Sequence, residues 1–159
     1  MSSHHLAELN VGTLKFPLED PRMIDFTANL APINALAERS PGYVWRLVDD
    51  SAVSATSLRP LGADVIINLS VWTDVESLRN YVFRSDHLDY LRRRTDWFER
   101  PRPGEPSTVL WWLPVGQLPT VDDAVRRLAL LRQYGSTPEA FSFREIHPPA
   151  AAEVITNRP

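Results

Sequence analysis

The chain has no cysteine and only one lysine, Lys15, among its 159 residues. Without cysteine there can be no disulfide, no thiolate zinc site and no cysteine nucleophile, so packing alone must hold the fold together. The sequence also lacks a glycine-rich phosphate loop, a GxSxG elbow and a paired metal motif. These absences argue against nucleotide-dependent chemistry and serine hydrolysis.

Long apolar runs are missing as well. No run approaches the roughly 20 residues needed to cross a bilayer, and the first residues, MSSHHLAELNVG, lack the basic start and apolar stretch of a secretory signal. We therefore predict a cytoplasmic protein with no membrane partner. The formal net charge of −3 argues against nucleic acid as a partner, because nucleic-acid-binding domains usually carry a clear basic footprint.

What is present indicates one globular domain with alternating strands and helices. We place the domain at 4–145 and predict that 146–159 forms a flexible C-terminal tail. Pro32 is expected to kink or split the first helix, and Thr73 and Thr120 are expected to begin helices. The predicted order is strand 6–14, helix 23–37, strand 43–48, strand 64–72, helices from 73 to about 100, strand 107–113, helix 120–135 and a short edge strand 141–144. This order predicts an α+β fold, a ferredoxin-like plait with an extra C-terminal helix.

The strongest predicted strand, 64–72, has two different faces. Val65, Ile67, Leu69 and Val71 form an aliphatic face, and we expect helices to cover it. Side chains on the other face are Ile66, Asn68, Ser70 and Trp72, a mixture that is typical of a cavity or an interface. We expect this mixed face to be the open side of the plait. Because exposed indole rings are costly, we predict a homodimer that covers it.

The helical sequence that follows carries two ionisable candidates. His87 and Arg94 fall on one helix stripe, about 10 Å apart along the axis, which suits the two ends of one small ligand. His87 is either a hydrogen-bonded structural residue or a catalyst or ligand. Arg94 either binds a carboxylate or pairs with an acidic side chain. Trp97 and Trp112 are either packing residues or parts of the ligand-binding wall.

Six segments together resemble an uncharacterised bacterial family, a domain of unknown function in the dimeric α/β-barrel superfamily. They are HLAELNVGTLKFPLEDPRM, INALAERSPGYVWRL, NLSVW, YVFRSDHLDYLRRRTDWFE, VLWWLPVGQLPT and TPEAFSF, which span about residues 5–143. The superfamily includes antibiotic-biosynthesis monooxygenases, which often need no cofactor, and a branch of haem-degrading oxygenases. By position Asn10, Trp72 and His87 are similar to the functional residues of the haem branch. His87 departs from the pattern of the haem branch, because it lies farther past Trp72 than the histidine of that branch lies past its tryptophan.

The leading hypothesis is an oxygenase-like, small-molecule-binding enzyme that acts on an aromatic or conjugated compound in a dimer-barrel pocket and requires no cofactor. His87 and Arg94 are its catalytic candidates. The substrate-binding candidates are Asn10, Asn68, Ser70, Trp72, Trp97 and Trp112. One alternative is a haem-binding or haem-degrading protein that uses His87, and another is a non-catalytic protein for metabolite binding or dimerisation.

Overall fold

A computed structural model describes residues 2–150. Its centre is one antiparallel sheet in the spatial order β2-β3-β1-β4. The strands are β1 (His4–Thr13), β2 (Tyr43–Arg46), β3 (Val65–Trp72) and β4 (Thr108–Pro114). Helices connect β1 to β2 and β3 to β4, and this is the ferredoxin-like plait that the order of predicted elements indicates. The predicted fold class is confirmed.

Six helices accompany the sheet: α1 (Ile24–Ala28), α2 (Leu30–Arg39), α3 (Val75–Arg84), α4 (His87–Arg92), α5 (Arg94–Trp97) and α6 (Val121–Tyr134). The predicted first helix is split, but at Asn29 rather than at Pro32. Pro32 lies in the first turn of α2. Backbone N–H groups there have no partner within the helix, so proline costs the helix no hydrogen bond. The additional C-terminal helix is α6, and it begins as predicted, with the Thr120 hydroxyl accepting a hydrogen bond from the Asp123 N–H.

Helix α3 begins one residue later than predicted. Asp74, rather than Thr73, is its N-cap, and one oxygen of its carboxylate accepts a hydrogen bond of 2.7 Å from the Ser77 N–H. The predicted helical stretch from 73 to about 100 is interrupted at Ser85 and again at Arg93. None of the helices in residues 2–150 is long and apolar enough to cross a membrane.

The aliphatic face of the sheet is closed by the chain itself. Helix α6 packs on it through Ala124, Leu128 and Leu131, and the segment between β2 and β3 adds Leu47, Leu58 and Leu61 at the edge. The buried sheet residues of this face are Ala7, Leu9, Val11, Ile67, Leu69, Val71, Val109, Trp111 and Leu113. Helix α6 thus lies on the opposite side of the sheet from the other helices.

The prediction that the mixed face is open was wrong. Helices α1 to α5 cover it, and the ring of Trp72, only 1% exposed, stacks on Tyr81 of α3 with 5.1 Å between ring centroids. Trp111 is buried on the aliphatic face, beneath the Arg127 guanidinium of α6. The exposed rings from which we predicted a homodimer are therefore absent from the part of the chain that the structure describes, and a homodimer stays a prediction.

The chain after α6 returns to the edge of β4. Phe141 and Leu110 exchange two backbone hydrogen bonds, so the predicted edge strand 141–144 pairs with β4 only at its first residue. The indole N–H of Trp112 donates to the carbonyl of His147 at 2.7 Å. The predicted tail thus has its first residues, 146–147, packed against the sheet, while 151–159 lie outside the described residues.

Candidate functional site

A cavity of about 470 Å³ lies between the mixed face of the sheet and helices α1 to α5. Its floor follows from the strand register. Glu8 of β1 is opposite Ser70 of β3, and Asn10 is opposite Asn68. Because side chains alternate along a strand, these four project into the cavity, whereas Leu9 and Leu69 between them project to the aliphatic core. Residues of one chain, from the sheet and from the helices, therefore line the cavity.

Glu8 is the buried acid of this floor, with 8% of its surface exposed. The Ser70 hydroxyl donates to one oxygen of its carboxyl at 3.4 Å, and the Trp72 indole N–H donates to the Ser70 oxygen at 3.0 Å. Burial raises the pKa of Glu8 to about 7, and the hydrogen bond from Ser70 opposes that rise. Glu8 is thus a carboxyl group that gains and loses its proton close to neutral pH.

An aromatic wall stands beside Glu8. Trp72 stacks on Tyr81 and meets Tyr43 edge-on, and the ring centroids of Trp72 and Tyr43 are 5.7 Å apart. The Tyr81 hydroxyl donates to the carbonyl of Ile33 at 3.3 Å. Burial raises the pKa of Tyr81, and the charge of Glu8 raises it further, so this phenol stays protonated at neutral pH. The wall offers flat, apolar surface at fixed positions.

His87 continues this wall from the first turn of α4. Its ring lies 4.9 Å from that of Tyr81, tilted by 45°, and its Nδ1 is 3.3 Å from the carbonyl oxygen of Val82. Burial lowers the pKa of His87, although the contact with Val82 opposes that change. A neutral ring whose Nδ1–H donates to Val82 keeps a lone pair on Nε2. That nitrogen suits a general base and a haem ligand equally.

The middle of the floor is built from amides and a hydroxyl. The Asn10 side chain donates to the Thr108 hydroxyl at 2.8 Å, which fixes the direction of its amide. Asn68 lies opposite Asn10, borders the cavity and is exposed. This part of the floor offers hydrogen-bond donors and acceptors without charge.

Arg94 stands at the far end of the cavity, near the end of β1. It borders the cavity together with Val11 and Gly12, and the same three residues also border a second, adjoining cavity of about 430 Å³. Within residues 2–150, the Arg94 guanidinium has no salt bridge and no hydrogen bond. Another arginine of the cavity, Arg46, is different, because it donates to the Glu38 carboxylate at 2.8 Å.

Seven of the eight predicted site residues border this one cavity: Asn10, Asn68, Ser70, Trp72, His87, Arg94 and Trp97. His87 and Arg94 do so from two short helices rather than from the one continuous stripe that we predicted. The eighth, Trp112, does not border it. Trp112 lies on the same face of the sheet, but Phe141 and His147 pack over it. The functional role of all eight stays a prediction.

Strand parity predicts that Glu8 lies beside Asn10 near the same cavity, although Glu8 was not chosen as a site residue, and the sequence identified neither Tyr81 nor Arg46. The parity of β1 was a signal for Glu8, which shares a strand face with Asn10. Tyr81 lies on the apolar stripe of α3 and is not distinguishable there from an ordinary core residue. Arg46 on β2 carries no local signal at all. Within residues 2–150, no group of three His, Asp or Glu side chains is placed so that it could hold a metal ion.

Gly12 allows a close approach at the Arg94 end of the cavity. A Cβ atom placed on Gly12 would lie 2.7 Å from Cδ1 of Phe98, whose ring also borders the cavity. The Phe98 ring in turn meets Phe26 of α1 edge-on, with 5.3 Å between centroids. The absence of a side chain at residue 12 therefore determines where the Phe98 ring lies.

Comparison with known proteins gave one family and several distant structures. The model of the family DUF3291, described as a domain of unknown function, matches residues 5–157. SnoaB from Streptomyces nogalater, described as a cofactor-independent oxygenase, is 17% identical, with 72% of this chain and 95% of SnoaB covered and a TM-score of 0.46. NE2512 from Nitrosomonas europaea, a protein of unknown function, is 16% identical, with 74% and 97% covered and a TM-score of 0.47. No curated protein matched. Likeness at this level carries no argument about function, which has to come from the cavity.

Proposed function

The chain belongs to the family DUF3291, whose function is unknown, and from this premise we propose that it is a small-molecule-binding, oxygenase-like enzyme. Its substrate is an aromatic or otherwise conjugated organic compound. The observation that carries the proposal is the cavity of about 470 Å³, which joins an aromatic wall to a floor of hydrogen-bonding side chains. A large cavity of mainly apolar lining with a few convergent polar groups is the usual form of a ligand site.

The wall supports a flat ligand. The rings of Trp72 and Tyr81 are held by stacking, and Trp97 closes the other end of the cavity. Offset stacking of a ligand ring on such surfaces adds to the free energy gained from apolar burial alone. Asn10, Asn68 and Ser70 would then hydrogen-bond the oxygen atoms of the ligand.

The chemistry that we propose needs a base and no cofactor. His87, neutral because burial lowers its pKa, would remove a proton from the conjugated substrate through Nε2. The resulting electron-rich anion would pass one electron to O₂, and the substrate radical and superoxide would combine to form a C–O bond. The proton held by His87 would return to the peroxide, so that substrate and O₂ together give a hydroperoxide. Arg94 would stabilise negative charge on the substrate.

Oxygen consumption by the purified chain, measured with a panel of phenols and fused-ring ketones, tests this proposal. We expect at least one compound to be oxidised, and His87→Gln to reduce the rate by 100-fold or more, as loss of a general base does. Arg92→Gln is the matched control, because Arg92 is exposed on the same helix and does not border the cavity. Equal rates for wild type and His87→Gln would contradict the role of His87.

The haem alternative depends on the same nitrogen of His87. Titration with haemin should give a sharp Soret shift that is lost in His87→Ala if haem binds there. An unchanged spectrum would remove this alternative. The non-catalytic alternative predicts that cavity ligands bind without any oxygen consumption, and that His87→Gln leaves the affinity unchanged.

We also retain two predictions about organisation. A single domain at 4–145 is supported by one sheet with a core on each face. A homodimer is supported by the resemblance to a dimeric superfamily and no longer by exposed rings. Light scattering at micromolar concentration tests it, and a monomer mass would contradict it.

A further inference from the structure

The side chains of the cavity floor change in chemical character from one end of the cavity to the other. From one end to the other, β1 presents Glu8, Asn10 and Gly12, and β3 presents Ser70, Asn68 and Ile66 opposite them. A carboxyl group and a hydroxyl group thus lie at the Trp72 end, amides lie in the middle, and an apolar pair lies at the end where Arg94 stands. Glu8 and Gly12 are four residues apart, which at the rise of a strand is about 13 Å.

At the first end, Glu8 has unused capacity to accept hydrogen bonds. Its side chain is more than nine-tenths buried, and within residues 2–150 its carboxyl receives one hydrogen bond, the long one of 3.4 Å from Ser70. A buried carboxyl group normally has several close partners, because each one offsets part of its desolvation. Since Glu8 borders the cavity, a ligand can supply the missing donor.

At the other end, Arg94 has the complementary property. It is half-buried, and its guanidinium has no acidic partner among residues 2–150, in contrast to Arg46 of the same cavity, which is bound to Glu38. A guanidinium presents a planar fork of donors that matches a carboxylate in two parallel hydrogen bonds. Arg94 can therefore bind an anionic group without breaking an existing ion pair.

We infer that the cavity binds an elongated conjugated carboxylic acid in one orientation, with its carboxylate on Arg94 and an O–H or N–H group at its opposite end donating to Glu8. The inference rests on the proposed function, since it names the substrate class of the same cavity. A ligand of two conjugated rings spans the two ends. The Trp72 and Tyr81 rings contact its faces, and Asn10 and Asn68 lie beneath its centre.

Isothermal titration calorimetry with three matched compounds tests the orientation. The probe is 4′-hydroxybiphenyl-4-carboxylate, and its two analogues are the 4′-methoxy acid, which has no donor, and the methyl ester of the hydroxy acid, which has no charge. For the wild-type chain we expect each analogue to bind at least tenfold more weakly than the probe. Equal affinities for all three would overturn the inference without requiring any variant to fold.

Two variants assign each end. In Glu8→Gln the amide can both accept and donate, so the preference for hydroxyl over methoxy should fall to about twofold, while the preference for acid over ester stays. In Arg94→Gln the preference for acid over ester should be lost, while that for hydroxyl stays. Glu76→Gln and Arg92→Gln, both exposed and outside the cavity, should retain both preferences. Loss of the preference for acid in Glu8→Gln, together with loss of the preference for hydroxyl in Arg94→Gln, would overturn the proposed orientation.

Failure of this inference is distinguishable from failure of the proposed function. Biphenyl-4,4′-diol, which carries no charge, serves as the reference ligand. Suppose that the diol binds to the wild-type chain but not to Trp72→Ala, and that the acid binds no more tightly than the diol. The cavity is then a ligand site and the inference is wrong. If neither compound binds, both are wrong.

Discussion

The two faces of the sheet differ in how completely the chain fills them. On the aliphatic face, Leu9 and Leu69 are opposite each other and are covered by Leu128 of α6. One position further along the same ladder, Asn10 and Asn68 are opposite each other beneath an open cavity. Five short helices cover the mixed face without filling it, whereas one helix and a loop seal the aliphatic face. The aliphatic face is therefore filled core, whereas the mixed face combines a core around Trp72 with the cavity.

The largest effect is expected on the sealed face. Leu69→Ala should lower the free energy of unfolding by about 2–5 kcal/mol, because the lost methyl groups leave a hole among buried neighbours. Asn68→Ala, at the adjacent residue but on the cavity side, should cost less than about 1 kcal/mol. Urea unfolding of both variants measures the contrast. Similar losses would show that the two faces contribute equally to stability.

Glu8→Gln should stabilise the chain, and the gain should depend on pH. Burial raises the pKa of Glu8 to about 7 in the folded chain, whereas in the unfolded chain the carboxyl group has its ordinary pKa of 4.5. Wild-type stability therefore falls as pH rises from about 4.5 to about 7, and glutamine does not titrate. The gain should approach about 3 kcal/mol above pH 7 and vanish below pH 4.5.

Urea unfolding between pH 4 and 9 checks this sign. Ser70 donates to Glu8, Tyr81 is close enough for the charge of Glu8 to raise its pKa, and Arg46 and His87 border the same cavity. Of these, His87 also changes its charge below neutral pH, because burial lowers its pKa from 6.5. The double variant Glu8→Gln, His87→Gln separates the two titrations. A gain that is constant across the pH range would mean that the carboxyl group is solvated.

His87→Ala should have a smaller effect. It removes the hydrogen bond to the Val82 carbonyl and the contact with Tyr81, which together should cost about 1 kcal/mol at pH 8. Because the folded pKa of His87 is lowered, its contribution is present above the unfolded pKa of about 6.5 and is lost as pH falls below it. The cost should therefore shrink at pH 5, as urea unfolding at both pH values would show. An equal or larger cost at pH 5 would contradict the direction of the pKa change.

The smallest effect on stability is expected for Asn68→Val. Asn68 makes no side-chain hydrogen bond within residues 2–150, and valine favours a strand, so the free energy of unfolding should change by no more than about 0.5 kcal/mol. The affinity for a cavity ligand should fall all the same, because a donor and acceptor are lost from the floor. Calorimetry and urea unfolding of the same sample test both expectations. A loss of stability without a loss of affinity would show that Asn68 contributes to the fold and not to ligand binding.

Strand parity alone grouped most of the site. The alternation along β3 identified Asn68, Ser70 and Trp72 as one face, and the predicted plait brought Asn10 to it. Parity does not say which face the helices cover, since that depends on where each connection crosses the sheet. We therefore expected the mixed face to be open, whereas α1 to α5 lie on it and α6 lies on the other side.

Contacts between distant residues explain the remaining differences. Trp112 is withdrawn from the cavity because Phe141 and His147, about 30 residues later, pack over it, and no local pattern predicts that return. Glu8 is one acid in an alternating strand, and its importance comes from Ser70, 62 residues away. Properties that arise from burial, such as the raised pKa of Glu8, become visible only once the sheet is assembled.

The contact between Gly12 and Phe98 has a consequence for how this cavity can change during evolution. A side chain at residue 12 would displace the Phe98 ring, which borders the cavity, while the chemical identities of Glu8, Asn10 and Arg94 stay the same. One substitution would thereby change the length of molecule that fits while the chemical groups stay in place. Related chains can therefore differ in the size of their ligands through a change at residue 12 alone, although glycine has no side chain that takes part in binding.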